Sequence, residues 1–460
     1  MFKRILIANR GEIAMRILRC ARTMGMEVVV VYSKADKDSM PVRMADIAVC
    51  IGPAPAKESY LNMNAIVEVA KHYECQAIHP GFGFLSENAD FARLCQEEGI
   101  TFIGPTPENM IQLGDKNNAR EIVKQQNVPV VPGSKKLVET AEEAVAIANE
   151  IGYPVLCKAS AGGGGRGMRT AENEEELVKA FDSAKAEAIS CFGNGDMYLE
   201  KLIIKPRHIE FQILADNYGN VIHLGERDCS LQRRNQKLME EAPAKVLTEE
   251  LRQRMGQDAV AIARAVNYRG VGTVEFILDH DMNYYFIEMN TRVQVEHPIT
   301  EEITGIDIIR EQIKVAAGNR LSIGQQDVKI HGYAIECRIN AENVEKNFAP
   351  SPGKIKMLHL PAGLGIRVVS AMYPGCEVSP FYDSMIAKVI AYGNTRLEAI
   401  HRMRVALEEL VVDGVDTNAT FLFLLTYHKD YLKGDFHTKF LESETEKILN
   451  WKKESEAHGR

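Results

Sequence analysis

The chain has 460 residues, of which 45% are hydrophobic and 26% charged, and its formal net charge is −8. That is too long for one ordinary core, so two to four domains are expected, with the composition of a soluble globular protein. The modest charge argues against a nucleic-acid or anionic-membrane surface spread over the whole molecule, while nine single cysteines without a CxxC pair argue against disulfides and structural zinc.

No apolar run approaches the ~18 residues of a membrane helix. The start, Met1-Phe-Lys-Arg4, reaches Arg10 and Glu12 after only a short apolar stretch. This is not a signal-peptide pattern, so a cytoplasmic protein is expected. Residues 4–8 read as a buried strand, 11–24 as a helix, 27–32 as a second strand, and the segment around Ala77-Ile-His79 as the end of another βα unit. That alternation predicts a doubly wound parallel sheet. Its first turn, residues 8–12, lacks the GxGxxG of dinucleotide sites, so a Rossmann-like sheet without a nicotinamide cofactor is expected.

A new unit opens near Gly114-Asp-Lys116. Thr140 and Glu143 form a capping-box pattern, and an Ala-rich helix runs to the stop at Gly152-Tyr-Pro154. The strand 154–158 ends on Lys158 and leads into Gly162-Gly-Gly-Gly-Arg166. Glycines free the backbone to close over phosphate oxygens, and a lysine at the strand end reaches them. The loop is not a Walker A motif, and a merely mobile surface loop is the alternative. Residues 197–203 read as a strand; backbone groups of 201–203 facing an adenine edge, with Glu200 on its amine, compete with a salt-bridged edge strand. His208 and Glu210 share a strand face. Residues 229–241 gather Arg233, Arg234 and Lys237, read either as a loop of oxyanion donors or as an exposed helix. Cys229 is read as a structural thiol.

Residues 273–279 and 284–290 alternate like two strands around a four-residue turn at 280–283. If Asp279 opposes Tyr284, Glu275 sits opposite Glu288, where like charges repel unless a cation lies between them. With Asn290 as a third oxygen ligand, this suits Mg²⁺ carried on nucleotide phosphates; two solvated glutamates are the alternative, and the other turn register would remove the pairing altogether. Alternation continues through Arg292, Gln294 and Glu296, offering a guanidinium, an amide and a carboxylate to a small oxyanion. Arg338 reads as a further buried arginine or an ordinary ion pair. The chain turns strand-like from about His331, with a strand at 383–391, a helix at 397–410, and a frayed helical tail, rich in Glu and Lys, over the last ~15 residues.

Together these segments resemble the ATP-grasp enzymes, and within them the biotin carboxylases. The resemblance rests on residues 7–13, 79–88, 158–168, 206–210, 226–234, 288–298 and 381–384. It implies a multidomain α/β and α+β chain. A Rossmann-like N-terminal domain would span 1–113, an ATP-grasp domain 114–334 with a glycine-rich lid at about 131–203, and a C-terminal α+β domain 335–446, followed by the tail 447–460. It implies that ATP phosphorylates bicarbonate to carboxyphosphate, and that the carboxyl group then passes to biotin on a carrier. By likeness Lys116, Lys158, Gly163, Gly164, Gly165, Glu200, Lys201, Ile203, His208 and Gln232 would bind ATP, with Glu275 and Glu288. Glu275, Glu288 and Asn290 would hold Mg²⁺ or Mn²⁺. Lys237, Arg292, Gln294 and Val295 would bind bicarbonate, Glu296 would be the base, and Arg338 and Phe82 would face biotin. Asn235 departs from the usual histidine and Phe82 from the usual tyrosine. No Met-Lys-Met biotinylation site occurs, so the expected partners are a separate biotin carboxyl carrier protein and carboxyltransferase subunits. The chain is expected to be a homodimer, with neither nucleic acid nor membrane as partner.

Overall fold

The computed structural model describes residues 1–134, 136–159, 168–192 and 195–457. The glycine run with Gly163, Gly164 and Gly165 therefore lies outside the described residues. The chain forms two compact units, one of Met1–Gln126, Arg207–Phe276 and Glu288–Arg460, the other of Asn127–Pro206 and Ile277–Ile287.

The larger unit begins with the expected doubly wound sheet. Its five parallel strands run in the order Ile47–Gly52, Glu27–Ser33, Arg4–Ile7, Ala77–His79, Thr101–Phe102. Apolar runs such as Val28-Val-Val-Val31 are buried on both faces, as parallel strands require. Helices start on side-chain caps at Asn62, Asn88, Thr106 and Asp115, each worth about 1 kcal/mol. The helix Gly11–Thr23 is covered on more than its apolar face. Arg16 reaches Glu301 at 2.8 Å and Asp307 at 2.5 Å, and Glu12 reaches Lys388 at 3.1 Å.

The second sheet positions the chemistry. Its eight strands run in the order Tyr284–Asn290, Gly270–Leu278, Arg207–Ala215, Val221–Arg233, Gln236–Ala242, Tyr333–Asn340, Met385–Gly393, Ile366–Ser370. The pairing of Gln236–Ala242 with Tyr333–Asn340 joins the central and C-terminal parts of the sequence into one ladder. Residues 229–241, read as a loop or an exposed helix, instead form most of a buried hairpin. Arg234 and Asn235 turn it with φ of 50° and 63°. Polar composition hid this, because the buried polar groups here satisfy one another.

The smaller unit has a three-stranded antiparallel sheet, ordered Met168–Ala171, Val155–Ala159, Met197–Lys201, backed by helices Ala141–Ile151 and Glu174–Phe192. Its core includes Val155, Cys157, Leu177, Phe181 and Leu199. Thr140 caps its helix as expected, but Glu143 reaches back to the Glu139 N–H rather than to that of Thr140. The chain end is helical, as expected, and begins earlier: Phe440–Ala457 is one helix, anchored by Ile448, fully buried, and by Trp451, stacked on His428. Among the described residues, no helix is long and apolar enough to cross a membrane.

Candidate active site

Lys237 lies at the start of the strand Gln236–Ala242, directly after the two-residue turn, and reaches three carboxylates. Its Nζ is 2.6 Å from Glu210, 2.7 Å from Glu296 and 3.2 Å from Glu275. Glu210 also accepts from Arg227 Nε at 2.6 Å. The Arg227 guanidinium, fully buried, directs its remaining donors to Gln212, Thr300 and Thr273. Sequence reading found His208, Glu210 and Lys237 but not Arg227, whose partners lie up to 73 residues away.

Glu296 is bound from both sides, by Lys237 and by Arg338 at 2.9 Å, and Arg338 also holds Glu240 at 2.6 Å. Burial alone pushes the Glu296 carboxyl up; Lys237, Arg338 and Arg227 outweigh it and hold it well below the usual range. Glu296 is therefore a buried anion. Burial likewise works against the Lys237 ammonium, but Glu210 and Glu296 keep it charged. Cys229 Sγ sits 3.8 Å from Glu296 with its thiol pushed up, first by burial and then by Glu210, which fits the structural thiol.

Arg292, Gln294 and Glu296 do not alternate along a strand. Residues 291–296 are irregular and lead into the helix His297–Thr304. Arg292 and Gln294 nevertheless touch, and Glu296 joins them only through Lys237 and Glu275. Arg292 donates to Gln294 Oε1 at 2.8 Å and to Asn290 Oδ1 at 2.9 Å, and Gln294 donates to Glu275 at 3.1 Å. Glu87 fixes this loop, accepting from Arg292 Nε at 2.8 Å and from the Thr291 N–H at 3.0 Å. It lay inside a motif stretch without a role. The carbonyl of Val295 accepts from Lys388 at 2.7 Å.

The hairpin at 279–283 is one residue tighter than expected. The Asp279 N–H bonds the Asn283 carbonyl at 2.8 Å, and Met282 takes φ 64°, so the connection is His280–Met282. The 279/284 pairing from which Glu275 was placed opposite Glu288 does not form. The two acids have different surroundings. Glu275 is buried, 2.9 Å from His208 Nε2 and 2.8 Å from Asn290 Nδ2; Glu288 is partly exposed and 3.3 Å from Lys116. Burial raises the Glu275 carboxyl, but Lys237 and His208 drive it down, and the His208 imidazole rises against its own burial through Glu275. Gln232 Nε2 lies 3.4 Å from His208 Nδ1. The set Glu275, Glu288 and Asn290 offers hard oxygen donors, which fits Mg²⁺.

In the smaller unit Lys158 Nζ is 2.6 Å from Glu200 Oε1. The N–H groups of Lys201 and Leu202 donate to Pro132 and Pro154, and Lys201 Nζ to Tyr153 O. Those two N–H groups therefore do not face an adenine edge. Ile203, half-buried, follows the strand.

Phe82 lines a cavity of about 260 Å³ with Asn9, Arg10, Glu12, Phe84 and Tyr382. Asn9 Nδ2 ties down its loop by donating to Pro80 and Phe82 carbonyls at 2.6 and 2.8 Å. Gly81, at φ 65°, leaves room for that amide, since a Cβ there would lie 2.8 Å from Asn9 Nδ2.

Family models match almost the whole chain: a biotin carboxylase N-terminal domain over residues 1–110, a carbamoyl-phosphate synthase L chain ATP-binding domain over 115–324, and a biotin carboxylase C-terminal domain over 336–443. Biotin carboxylase 1 of Bacillus subtilis is 59% identical over 444 residues, covering 96% of this chain and 99% of the relative. The chain belongs to the biotin carboxylase family. The 2-oxoglutarate carboxylase small subunit of Hydrogenobacter thermophilus is 52% identical over 442 residues, covering 96% and 93% of the two chains. The crystal structure of that organism's biotin carboxylase domain dimer, with MgADP, ADP and bicarbonate, superposes with a TM-score of 0.89 at 51% identity, over 97% of this chain and 99% of that one. The three-domain biotin carboxylase architecture is therefore shown. Within it, Asn235 stands in the left-handed turn conformation that asparagine tolerates well.

Proposed function

We propose that the chain is the biotin carboxylase subunit of a biotin-dependent carboxylase, using ATP and bicarbonate to carboxylate biotin on a separate carrier protein through carboxyphosphate. The observation that carries this reading is Glu296, an anionic base held between Lys237 and Arg338. Bicarbonate accepting hydrogen bonds from Lys237, Arg292, Gln294 and the Val295 backbone would compete with Glu296 for Lys237. Each donor Glu296 gives up raises its basicity, so substrate binding itself prepares the base to take the bicarbonate proton. Arg338 is then placed to meet the negative charge that develops on the biotin ureido oxygen, and Phe82 supplies an aromatic wall.

Lys116, Lys158, Glu200, Lys201, Ile203, His208 and Gln232 are assigned to the nucleotide. Glu275, Glu288 and Asn290 would hold Mg²⁺ or Mn²⁺, which neutralises phosphate charge when bound. A dimer is supported by the Hydrogenobacter thermophilus structure named as one. The free thiols of the described cysteines support a reducing cytoplasm. We place acetyl-CoA first as the final acceptor. Relatives named as subunits of 2-oxoglutarate carboxylase and of pyruvate carboxylase, at 52% and 50% identity, favour a second reading with a keto acid.

The test is ATP hydrolysis by the purified chain with and without bicarbonate and biotin. Turnover should require both and be lost in Glu288→Lys; hydrolysis indifferent to either ligand would refute the assignment. Co-purification of the carrier and transferase, assayed with acetyl-CoA, pyruvate and 2-oxoglutarate, decides the acceptor.

A further inference from the structure

Beneath Arg338 lies a pair of acids to which the reaction assigns no role. Glu240 and Glu336 are directly opposed in the ladder between Gln236–Ala242 and Tyr333–Asn340, so their side chains leave the sheet on the same face. Both are completely buried. Neither oxygen of Glu336 has a hydrogen-bond partner, nor does Glu240 Oε2, while Glu240 Oε1 accepts from Arg338 Nε at 2.6 Å.

The neighbouring cations are engaged elsewhere. Arg338 is shared between Glu240 and Glu296. Lys388, opposite Arg338 on the next strand, is taken by Glu12 on the helix Gly11–Thr23 and by the Val295 carbonyl. Lys237 is held by Glu210, Glu275 and Glu296, and the buried His297 imidazole is held neutral, first by burial and then by Lys388. Among the described residues, no cation touches Glu336. Two anions side by side in a buried site, one without a direct donor, would carry a desolvation cost that Lys388 and Arg338, each bound to other groups, offset only in part. One proton between them removes the repulsion and gives Glu336 a donor and Glu240 Oε2 something to accept.

We propose that Glu240 and Glu336 share a single proton, and that this carboxyl pair is the positioning element that holds the Arg338 guanidinium for biotin. Burial pushes both carboxyls up, Glu240 to about 7 and Glu336 well above the ordinary value, in keeping with that geometry. Loss of the shared proton at alkaline pH drives Glu240 off its line with Arg338.

Two measurements test this, and the second does not depend on the carboxylation reading on which the first rests. Glu336→Ala should lower kcat for biotin carboxylation roughly 10–100-fold, the cost of a catalytic group displaced by about 1 Å. Glu336→Gln, which keeps a donor in place of the shared proton, should recover most of that loss and flatten the alkaline limb of the kcat profile. Infrared difference spectroscopy near neutral pH should show a protonated-carboxyl C=O band that Glu336→Gln abolishes. Glu336→Gln as slow as Glu336→Ala, an unchanged alkaline limb, or a band that survives the substitution would each overturn the proposal.

Discussion

The Glu296 network of the larger unit and the Lys158–Glu200 pair of the smaller one use the same charge types under different solvent regimes. Around Glu296 each cation holds two or three carboxylates, and each charge is nearly or fully enclosed. Lys158 instead meets Glu200 with its side chain about one-third exposed. A buried network fixes geometry because breaking one link leaves an uncompensated charge. A partly solvated pair can exchange partners cheaply, which is what the proposed role of Lys158 as a phosphate ligand would require. On the proposed function, the difference teaches that enclosure goes with the groups proposed to react and solvent access with the lysine proposed to capture substrate.

Removing the base is expected to have the largest effect. Glu296→Gln should lower kcat by roughly 10²–10⁴ with its thermal midpoint recorded alongside; near-parental turnover would mean that the network only stabilises the fold. Next comes Arg227→Met, which takes from Glu210 one of its two close cations, Lys237 remaining, and should cost about 3–5 kcal/mol in a denaturant titration. A loss under about 1 kcal/mol would show that the enclosed network tolerates a missing link as the solvated pair does. Lys158→Ala should raise KM for ATP about tenfold with a smaller change in kcat, and a pure kcat effect would place Lys158 with the reacting groups instead.

The smallest expected effect is a slope with pH. Burial pushes the His79 imidazole down to about 3 and that of His223 to about 4, Arg16 adding to the first. Above pH 6.5 both are neutral whether the chain is folded or not, and neither contributes a pH dependence. As pH falls below that value the unfolded chain takes up protons that the folded chain refuses, so stability declines until about pH 3–4. Thermal midpoints measured between about pH 7 and pH 4 should fall, and His223→Gln should make the fall shallower.

Much of the fold could be read from the residues because the N-terminal sheet is made of apolar runs. Ala77–His79 forms a strand in the segment expected to end another βα unit, and Glu27–Ser33 extends its expected strand by one residue. The hairpin Val221–Arg233/Gln236–Ala242 could not be read that way. Its strands carry Glu226, Arg227, Asp228 and Gln232 inward, and periodicity has no means of recognising a buried face that is polar. The Glu275–Glu288 argument depended on a turn one residue longer than the one formed, and in a strand a single residue changes which side chains are opposed. Arg292, Gln294 and Glu296 lie on an irregular segment pinned by Glu87 rather than on an alternating strand, and Glu296 meets the other two only through Lys237 and Glu275. Glu336 had no signal at all. It becomes conspicuous only when its ladder neighbour, 96 residues earlier in the sequence, is known to be another acid.

The thiols give each unit a clock of its own. Cys157 is buried in the core of the smaller unit, Cys229 and Cys337 in that of the larger, and burial suppresses all three thiolates, whereas Cys50 is exposed. An alkylating reagent will therefore mark Cys50 at once and the others only when their surroundings open. Reading the modified peptides over time reports how often each unit breathes, and shows whether nucleotide slows one rhythm without touching the other.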